Sequence, residues 1–191
     1  MKSFAALFLL VAFAAPAQAS HFAEQPGSRL QFTTSVDGEE FTGRFETFDA
    51  SIRVDPADLA GSRFEVRISL NSARTDNEER DEALLGPEFF DSVAKPEAKY
   101  VATKFVKLKD GRWRADGTLT LRGVTKPVPL VFSWTPGVQP ILAGEAVVNR
   151  LDFGVGTGEW GDLELIPDRV VVKTRLVLAA RPPPRMPEAE K

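Results

Sequence analysis

The stretch that decides the fold is RFEVRISL, residues 63–70, in which apolar and polar side chains alternate without a break. The apolar members, which fall on one side of an extended chain, are Phe64, Val66, Ile68 and Leu70. A period of two is typical of a β-strand with one buried face and one solvated face. The stretch therefore predicts a sheet with an apolar inner face.

The same alternation recurs in RWRADGTLTL, residues 112–121, and in DRVVVKTRLVL, residues 168–178. Five less regular runs complete a set of eight predicted strands, and these are residues 28–36, 40–54, 99–108, 126–134 and 143–153. Within the run 40–54 the apolar positions change parity, which predicts a β-bulge or a sharp bend near Thr47. Short turns such as Asp37-Gly38, Asp110-Gly111 and Arg122-Gly123 favour antiparallel neighbours. The pattern is typical of an all-β protein, and strong bending is what a closed barrel requires.

The longest connection, between the third and fourth strands, contains TDNEERDEALL, residues 75–85. Asp76 is the predicted N-cap of a short helix, with Glu79 at the capping-box position. The helix is predicted to stop at Gly86, and a second helical turn is predicted to follow. That turn carries Phe89 and Phe90, for which the sequence leaves two roles open: core packing, or cover for an opening of the barrel.

Composition excludes several kinds of chemistry. The chain has no cysteine, so it has no disulfide, cysteine nucleophile or thiolate metal site. A single histidine, His21, cannot build a Ser-His-Asp triad or a multi-histidine zinc site, and its position near a predicted cleavage point suggests a mobile terminus. The mild net negative charge of -3 provides no broad basic surface for nucleic acid.

Three segments are predicted along the chain. Residues 1–19 combine Lys2, an apolar run and the small-residue site at Ala17 and Ala19, which is the pattern of a cleaved secretory signal peptide. Residues 20–180 form one barrel domain, and residues 181–191 form a proline-rich disordered tail. The expected mature protein is therefore exported and slightly more acidic than the whole chain.

Four blocks of sequence, residues 43–75, 80–105, 115–132 and 148–156, resemble the YceI-like family in their order and spacing. The resemblance implies an exported, periplasmic, non-enzymatic protein with a lipocalin-like barrel. It implies that a long apolar tunnel in this barrel binds polyisoprenoid or related lipids, including quinone tails. No cofactor is expected apart from a bound isoprenoid lipid or quinone.

The predicted fold is therefore an eight-stranded antiparallel lipocalin-like barrel with a short helical connection between strands 3 and 4. The apolar residues expected to line its tunnel are Phe41, Phe45, Phe64, Ile68, Leu85, Phe89, Phe90, Trp113, Leu119, Leu121, Trp134, Val172 and Leu176. Four cations are candidates for binding a lipid head group: Arg80, Arg122, Lys126 and Arg150. The last three could meet a diphosphate, which paired cations suit, or be solvated turn charges. Arg80 belongs to the RD of the second resembling block and could contact a head group or form a structural ion pair.

Two alternatives remain open from the sequence. The segment GVGTGEWGDLELIPDRV, residues 154–170, resembles members found near b-type cytochromes, which suggests a periplasmic partner of a membrane redox system. Glu159, Asp162 and Glu164 form a carboxylate cluster that could act in a hydrolase, although solvated loop charges are the simpler interpretation. No metal site is predicted, and the sequence leaves open the oligomeric state, a dimer included, and which end of the barrel is open.

Overall fold

A computed structural model describes residues 20–55 and 59–180 of the chain. The predicted signal peptide and the predicted proline-rich tail lie outside these described residues. Among the described residues, no helix is long and apolar enough to cross a membrane.

The described part of the chain is a single antiparallel sheet with one α-helix and several short 3₁₀ turns. The strands are β1 (Ser20–Glu24), β2 (Arg29–Val36), β3 (Glu39–Phe45), β4 (Phe48–Val54), β5 (Arg63–Ser69), β6 (Ala73–Arg74), β7 (Glu97–Lys107), β8 (Trp113–Leu121), β9 (Val124–Thr135), β10 (Ile141–Asn149) and β11 (Arg169–Ala180). The helix is α1 (Glu78–Leu85), between β6 and β7.

The sheet closes into a barrel because β1 pairs with both β4 and β11. β2 pairs with another part of β11, so β1 and β2 together form one interrupted barrel strand. β3 and β4 form a second interrupted strand, and the barrel therefore has eight strands, as the sequence predicts. Hydrogen bonding continues from strand to strand around the ring except along β3, which pairs with β2 over residues 39–45 but on its other side only with β6, at Arg44 and Phe45.

The break between β3 and β4 confirms the bend predicted near Thr47. The backbone N–H of Glu46 donates to the carbonyl of Ser72 at 3.1 Å. The N–H of Thr47 donates to the hydroxyl oxygen of Ser72 at 3.0 Å. Because these groups bond to the loop before β6 instead of a neighbouring strand, the chain can turn sharply here without leaving these two backbone N–H groups unpaired.

Local details differ from the predictions at three places. The N-cap of α1 is Asn77, whose side-chain oxygen accepts from the N–H of Arg80 at 2.9 Å. The prediction of Asp76 is wrong by one residue, because Asp76 has a left-handed backbone (φ 58°) and its carboxylate accepts from Arg44. The segment after Gly86 forms hydrogen-bonded turns instead of a helical turn. His21 lies in β1, paired with Arg53, and not in a mobile terminus.

Glycines on the inner face make room for large neighbours. A Cβ added at Gly43 would lie 2.2 Å from the Phe32 ring, and one added at Gly117 would lie 2.3 Å from the Tyr100 ring. These distances are far shorter than any van der Waals contact, so each ring lies flat over the adjacent glycine. The small residues therefore serve packing within the barrel wall.

Replacing Gly117 with alanine is expected to lower the free energy of unfolding by about 1 to 3 kcal/mol, because the methyl group displaces the Tyr100 ring from a packed wall. Urea denaturation measures this loss. Gly137→Ala is the matched control, since an added Cβ there meets only a carbonyl oxygen at 3.8 Å. Equal stability of the two variants would contradict the packing of Tyr100 on Gly117.

Candidate functional site

The barrel encloses an apolar cavity of about 480 Å³ near the end that carries α1, here called the helix end. Side chains from β2, β3, β4, β5, β7, β8, β9, β10 and β11 line its wall, and within a strand they come from alternate positions, as the pleat requires. The predicted tunnel residues that the structure places on this wall are Phe41, Phe45, Phe64, Ile68, Phe89, Phe90, Leu119, Leu121, Val172 and Leu176.

Aromatic side chains fill the far end of the barrel. Phe132 lies 5.1 Å from Phe64 and 5.8 Å from Trp113, measured between ring centroids. Phe105 contacts Phe64 at 4.7 Å. These four residues are here called the aromatic floor, and they close the cavity on the side away from α1.

Three residues predicted to line the tunnel lie elsewhere. Trp113 belongs to the aromatic floor, and Trp134 packs at the far end against Phe22 at 5.4 Å. Both have the inward parity that the prediction used, but parity does not specify depth along a barrel. Leu85 ends α1 outside the cavity wall, whereas its neighbour Leu84 lies on that wall.

The cavity opens beside α1. Asn77, Glu79 and Ala83 border the cavity and are themselves exposed to solvent, so the apolar interior reaches the surface at this helix. The residues here called the mouth are Thr34, Phe41, Asn77, Glu79 and Arg80. They are more polar than the wall beneath them.

Arg80 is the cation that lies at this mouth. Its guanidinium group lies over the Phe41 ring, 4.0 Å from the centroid. Its Nε donates to the hydroxyl of Thr75 at 2.9 Å, and that hydroxyl donates to Asp81 at 2.6 Å. Stacking and one hydrogen bond thus fix the guanidinium plane. Its two terminal nitrogens have no hydrogen-bond partner among the residues that the structure describes.

Thr34 lies directly opposite Phe41 in the pairing of β2 with β3. Its hydroxyl oxygen is buried on the cavity wall and has no hydrogen-bond partner within the described chain. Buried hydroxyl groups in folded proteins are nearly always paired. Thr34 and Arg80 are therefore both next to Phe41, and both have unused hydrogen-bond donors.

The two phenylalanines after Gly86 have different surroundings. Phe90 is 7% exposed, and its ring lies 5.8 Å from Phe45 and 6.4 Å from Phe32. Phe89 is only partly buried, and its ring lies 5.5 Å from Trp160. Phe90 thus belongs to the packed core, while Phe89 and Trp160 border the helix end of the cavity.

Arg150 is almost fully buried, with 4% of its surface exposed. Its guanidinium donates to five backbone carbonyl groups at 2.5 to 3.1 Å, those of Val155, Gly156, Trp160, Ile166 and Pro167. Burial lowers the pKa of this guanidinium from its ordinary value, and the nearby Asp168 carboxylate opposes that shift. Because arginine has five N–H groups, none remains for a ligand.

Arg122 and Lys126, the other two cations predicted to bind a head group, lie off the cavity wall. Arg122 donates to the carbonyl oxygens of Pro87 and Phe89 and so holds the loop after α1. Lys126 is exposed on β9. For Arg122 and Arg150 the sequence shows a positive charge but not the backbone carbonyl groups that accept from each guanidinium.

Glu159, Asp162 and Glu164 are exposed and lie outside the cavity wall. Within the part of the chain that the structure describes, no group of three or more histidine, aspartate or glutamate residues could hold a metal ion. Asp162 instead accepts a hydrogen bond from the N–H of Glu164 at 2.9 Å, which is a turn contact.

Several wall residues were missed by the sequence reading, among them Leu30, Thr34, Tyr100 and Trp160. Leu30 and Thr34 have the same parity in the predicted strand 28–36, so the alternation in that strand already indicates that both face the interior. Burial raises the pKa of the Tyr100 phenol above its ordinary value, as expected for a side chain against an apolar wall. Trp160 lies in a loop without periodicity, and no pattern indicates its position.

A closed antiparallel barrel with an apolar cavity at one end defines the lipocalin-like class of small-molecule barrels. The chain belongs to the YceI-like family, since the sequence profile of the YceI-like domain matches residues 23–178.

Known relatives cover most of the chain. A UPF0312 protein of Shewanella denitrificans is 36% identical over 158 residues, which cover 78% of this chain and 79% of the relative. A UPF0312 protein of Vibrio vulnificus is 31% identical over 173 residues, which cover 84% and 91%.

Solved structures share the fold. The crystal structure of Burkholderia cenocepacia BcnA matches with a TM-score of 0.73 at 26% identity, covering 79% of this chain and 96% of that protein. A polyisoprenoid binding domain from Saccharophagus degradans, implicated in plant cell wall breakdown, matches with a TM-score of 0.64 at 18% identity. That match covers 86% of this chain and 100% of the domain.

Proposed function

We propose that this protein is a non-enzymatic binding protein that holds the apolar chain of an isoprenoid-type lipid, a polyprenyl group or a quinone tail, inside its barrel. The observation that carries the proposal is the apolar cavity of about 480 Å³ that opens to solvent beside α1. Most of its wall is aliphatic or aromatic, so binding there rests on burial of hydrocarbon. Membership of the YceI-like family and the shared fold of a polyisoprenoid binding domain support this function.

The cavity also limits the length of chain that can be buried. A water molecule occupies roughly 30 Å³ in the liquid, and a methylene group is of similar size, so about sixteen such groups fill the cavity. That is about three five-carbon isoprenoid units. A longer chain can extend only out of the mouth, because the aromatic floor closes the other side.

The expected result for a series of isoprenoid alcohols is an affinity that rises with length and then levels off. Each buried CH₂ contributes about 0.8 kcal/mol before ordering is subtracted, so farnesol, with about fifteen carbons, should bind at least about tenfold more tightly than geraniol, with about ten. Geranylgeraniol, with about twenty, should bind no more than about twofold more tightly than farnesol. Isothermal titration calorimetry measures the three affinities.

A substitution in the wall provides the control. Ala146 lies on the cavity wall, and Ala146→Phe should weaken farnesol binding by filling the space that the chain needs. Ala143→Phe is its matched partner, because Ala143 lies on the same strand at the opposite parity and is not a wall residue. Absence of binding by all three alcohols would remove the carrier function.

The proposal includes export to the periplasm, which is supported by the pattern in residues 1–19 and by the implied family location. Mass spectrometry of the mature protein measures the start of the chain, expected near Ser20. A role beside a membrane b-type cytochrome stays a prediction from the sequence alone.

A further inference from the structure

We infer that the mouth of the cavity binds an oxygen-acid head group with a single negative charge, a carboxylate in the simplest case, through Arg80 and Thr34. This inference rests on the proposed function, since the apolar tail of the same molecule would occupy the cavity. It assigns a polar end to a ligand whose apolar end the cavity defines.

The first observation is the orientation of Arg80. Phe41 supports the face of its guanidinium, and Thr75 takes its Nε–H, so the terminal N–H groups at the mouth are fixed in one plane. Two parallel N–H donors in one plane match the two oxygens of a carboxylate. Arg150 also borders the cavity, but all of its donors are used by backbone carbonyls.

The second observation is independent and concerns Thr34. Its buried hydroxyl has no partner in the described chain, although it borders a cavity whose wall is mostly apolar. An unpaired buried hydroxyl destabilises the protein, so this group is expected to pair when a ligand is present. Because Thr34 is opposite Phe41 in the strand pairing and Arg80 stacks on the Phe41 ring, Thr34 and Arg80 are both neighbours of Phe41.

The charge of the mouth selects a head group with one negative charge. Arg80 supplies one positive charge, whereas the exposed Glu79 on the same rim is negative and repels a head group with several charges. A neutral alcohol would leave the two terminal nitrogens of Arg80 without a charged acceptor. We therefore expect an amphiphilic acid with a tail of about three isoprenoid units or a similar length of hydrocarbon.

The test compares farnesol, farnesoate and farnesyl diphosphate, which share one tail and differ in the head group. Calorimetry at about pH 8 keeps the carboxylate ionised, since its unperturbed pKa lies near 4. Farnesoate should bind about tenfold more tightly than farnesol, as expected for hydrogen bonds to a charged group at a partly exposed site. The diphosphate should bind no more tightly than farnesoate.

Two variants test whether Arg80 and Thr34 produce the preference for farnesoate over farnesol. Arg80→Gln should bring the ratio of farnesoate affinity to farnesol affinity, measured within that variant, to about one, and Thr34→Val should reduce this ratio about threefold. The matched controls are Arg63→Gln, an exposed arginine on β5, and Thr33→Val, the neighbouring threonine that bonds Thr42 on the outer face. Circular dichroism confirms that each variant is folded.

Equal binding of farnesol and farnesoate by the wild-type protein would overturn the head-group inference and leave the carrier function standing. The same holds if the preference survives in Arg80→Gln, or if the diphosphate binds most tightly. Absence of binding by all three compounds would instead overturn both the inference and the proposed function.

Discussion

Arg150→Met is expected to lower the free energy of unfolding by about 3 to 5 kcal/mol. Methionine fills a similar volume but removes all the donors that pair with five carbonyl groups between Val155 and Pro167. Buried carbonyl groups left without partners each destabilise the fold, and the loss of a buried network is among the largest effects of a single substitution. Chemical denaturation followed by circular dichroism measures the change.

Two further variants test whether the lost hydrogen bonds are the cause of the lower stability. Arg150→Lys keeps the charge but offers fewer donors in a different geometry, so it should recover only part of the lost stability. Arg175→Met removes an exposed arginine from β11 and should change stability by less than about 0.5 kcal/mol. A loss below about 1 kcal/mol for Arg150→Met would show that the carbonyl groups find other partners.

Phe90→Ala is expected to lower the free energy of unfolding by about 3 to 5 kcal/mol, because its ring packs between Phe32 and Phe45 in the core. Phe89→Ala, at the neighbouring position, should lower it by only about 1 kcal/mol, since Phe89 is partly exposed. The pair is its own matched comparison, with the same side chain removed at two successive positions. Thermal and urea unfolding measure both losses.

The rate of ligand release should show the opposite order, with a larger change in Phe89→Ala than in Phe90→Ala. Phe89 and Trp160 border the cavity at the helix end, so removing the Phe89 ring should increase the dissociation rate of farnesol about fivefold. Stopped-flow fluorescence measures this rate. If the two variants lose stability equally and release farnesol at the wild-type rate, Phe89 is a packing residue like Phe90 and has no part in covering the cavity.

The depth of each side chain explains where sequence prediction succeeded and failed in the site. Parity placed Phe64, Leu119 and Val172 on the inner face correctly, because successive side chains of a strand point to opposite sides. Trp113 and Trp134 have the same inward parity, but they lie at the far end of the barrel, because parity fixes the face of the sheet and not the depth along the barrel. Their depth follows from the register of β8 and β9, which is fixed by hydrogen bonds between distant residues.

The arginines show a second limit of prediction from the sequence. Arg80, Arg122 and Arg150 look alike in sequence, yet one has unused donors at the mouth, one holds a loop and one is enclosed by carbonyl groups. The partners of Arg150 lie up to seventeen residues away, in a loop without periodicity. Local sequence does not specify such contacts, because they depend on how the chain folds back on itself.

The sequence alone determined that the chain is an all-β barrel of eight strands with a bend near Thr47 and a short helix before Gly86. Alternation, turn residues and caps are local signals, and they operate over a few neighbouring residues. Only the tertiary structure decided that a cavity of about 480 Å³ remains at the helix end, that aromatic rings close the other end, and that Arg80 is the cation at its mouth. These features depend on close packing between residues far apart in the chain, and packing is set by the shapes that meet in space.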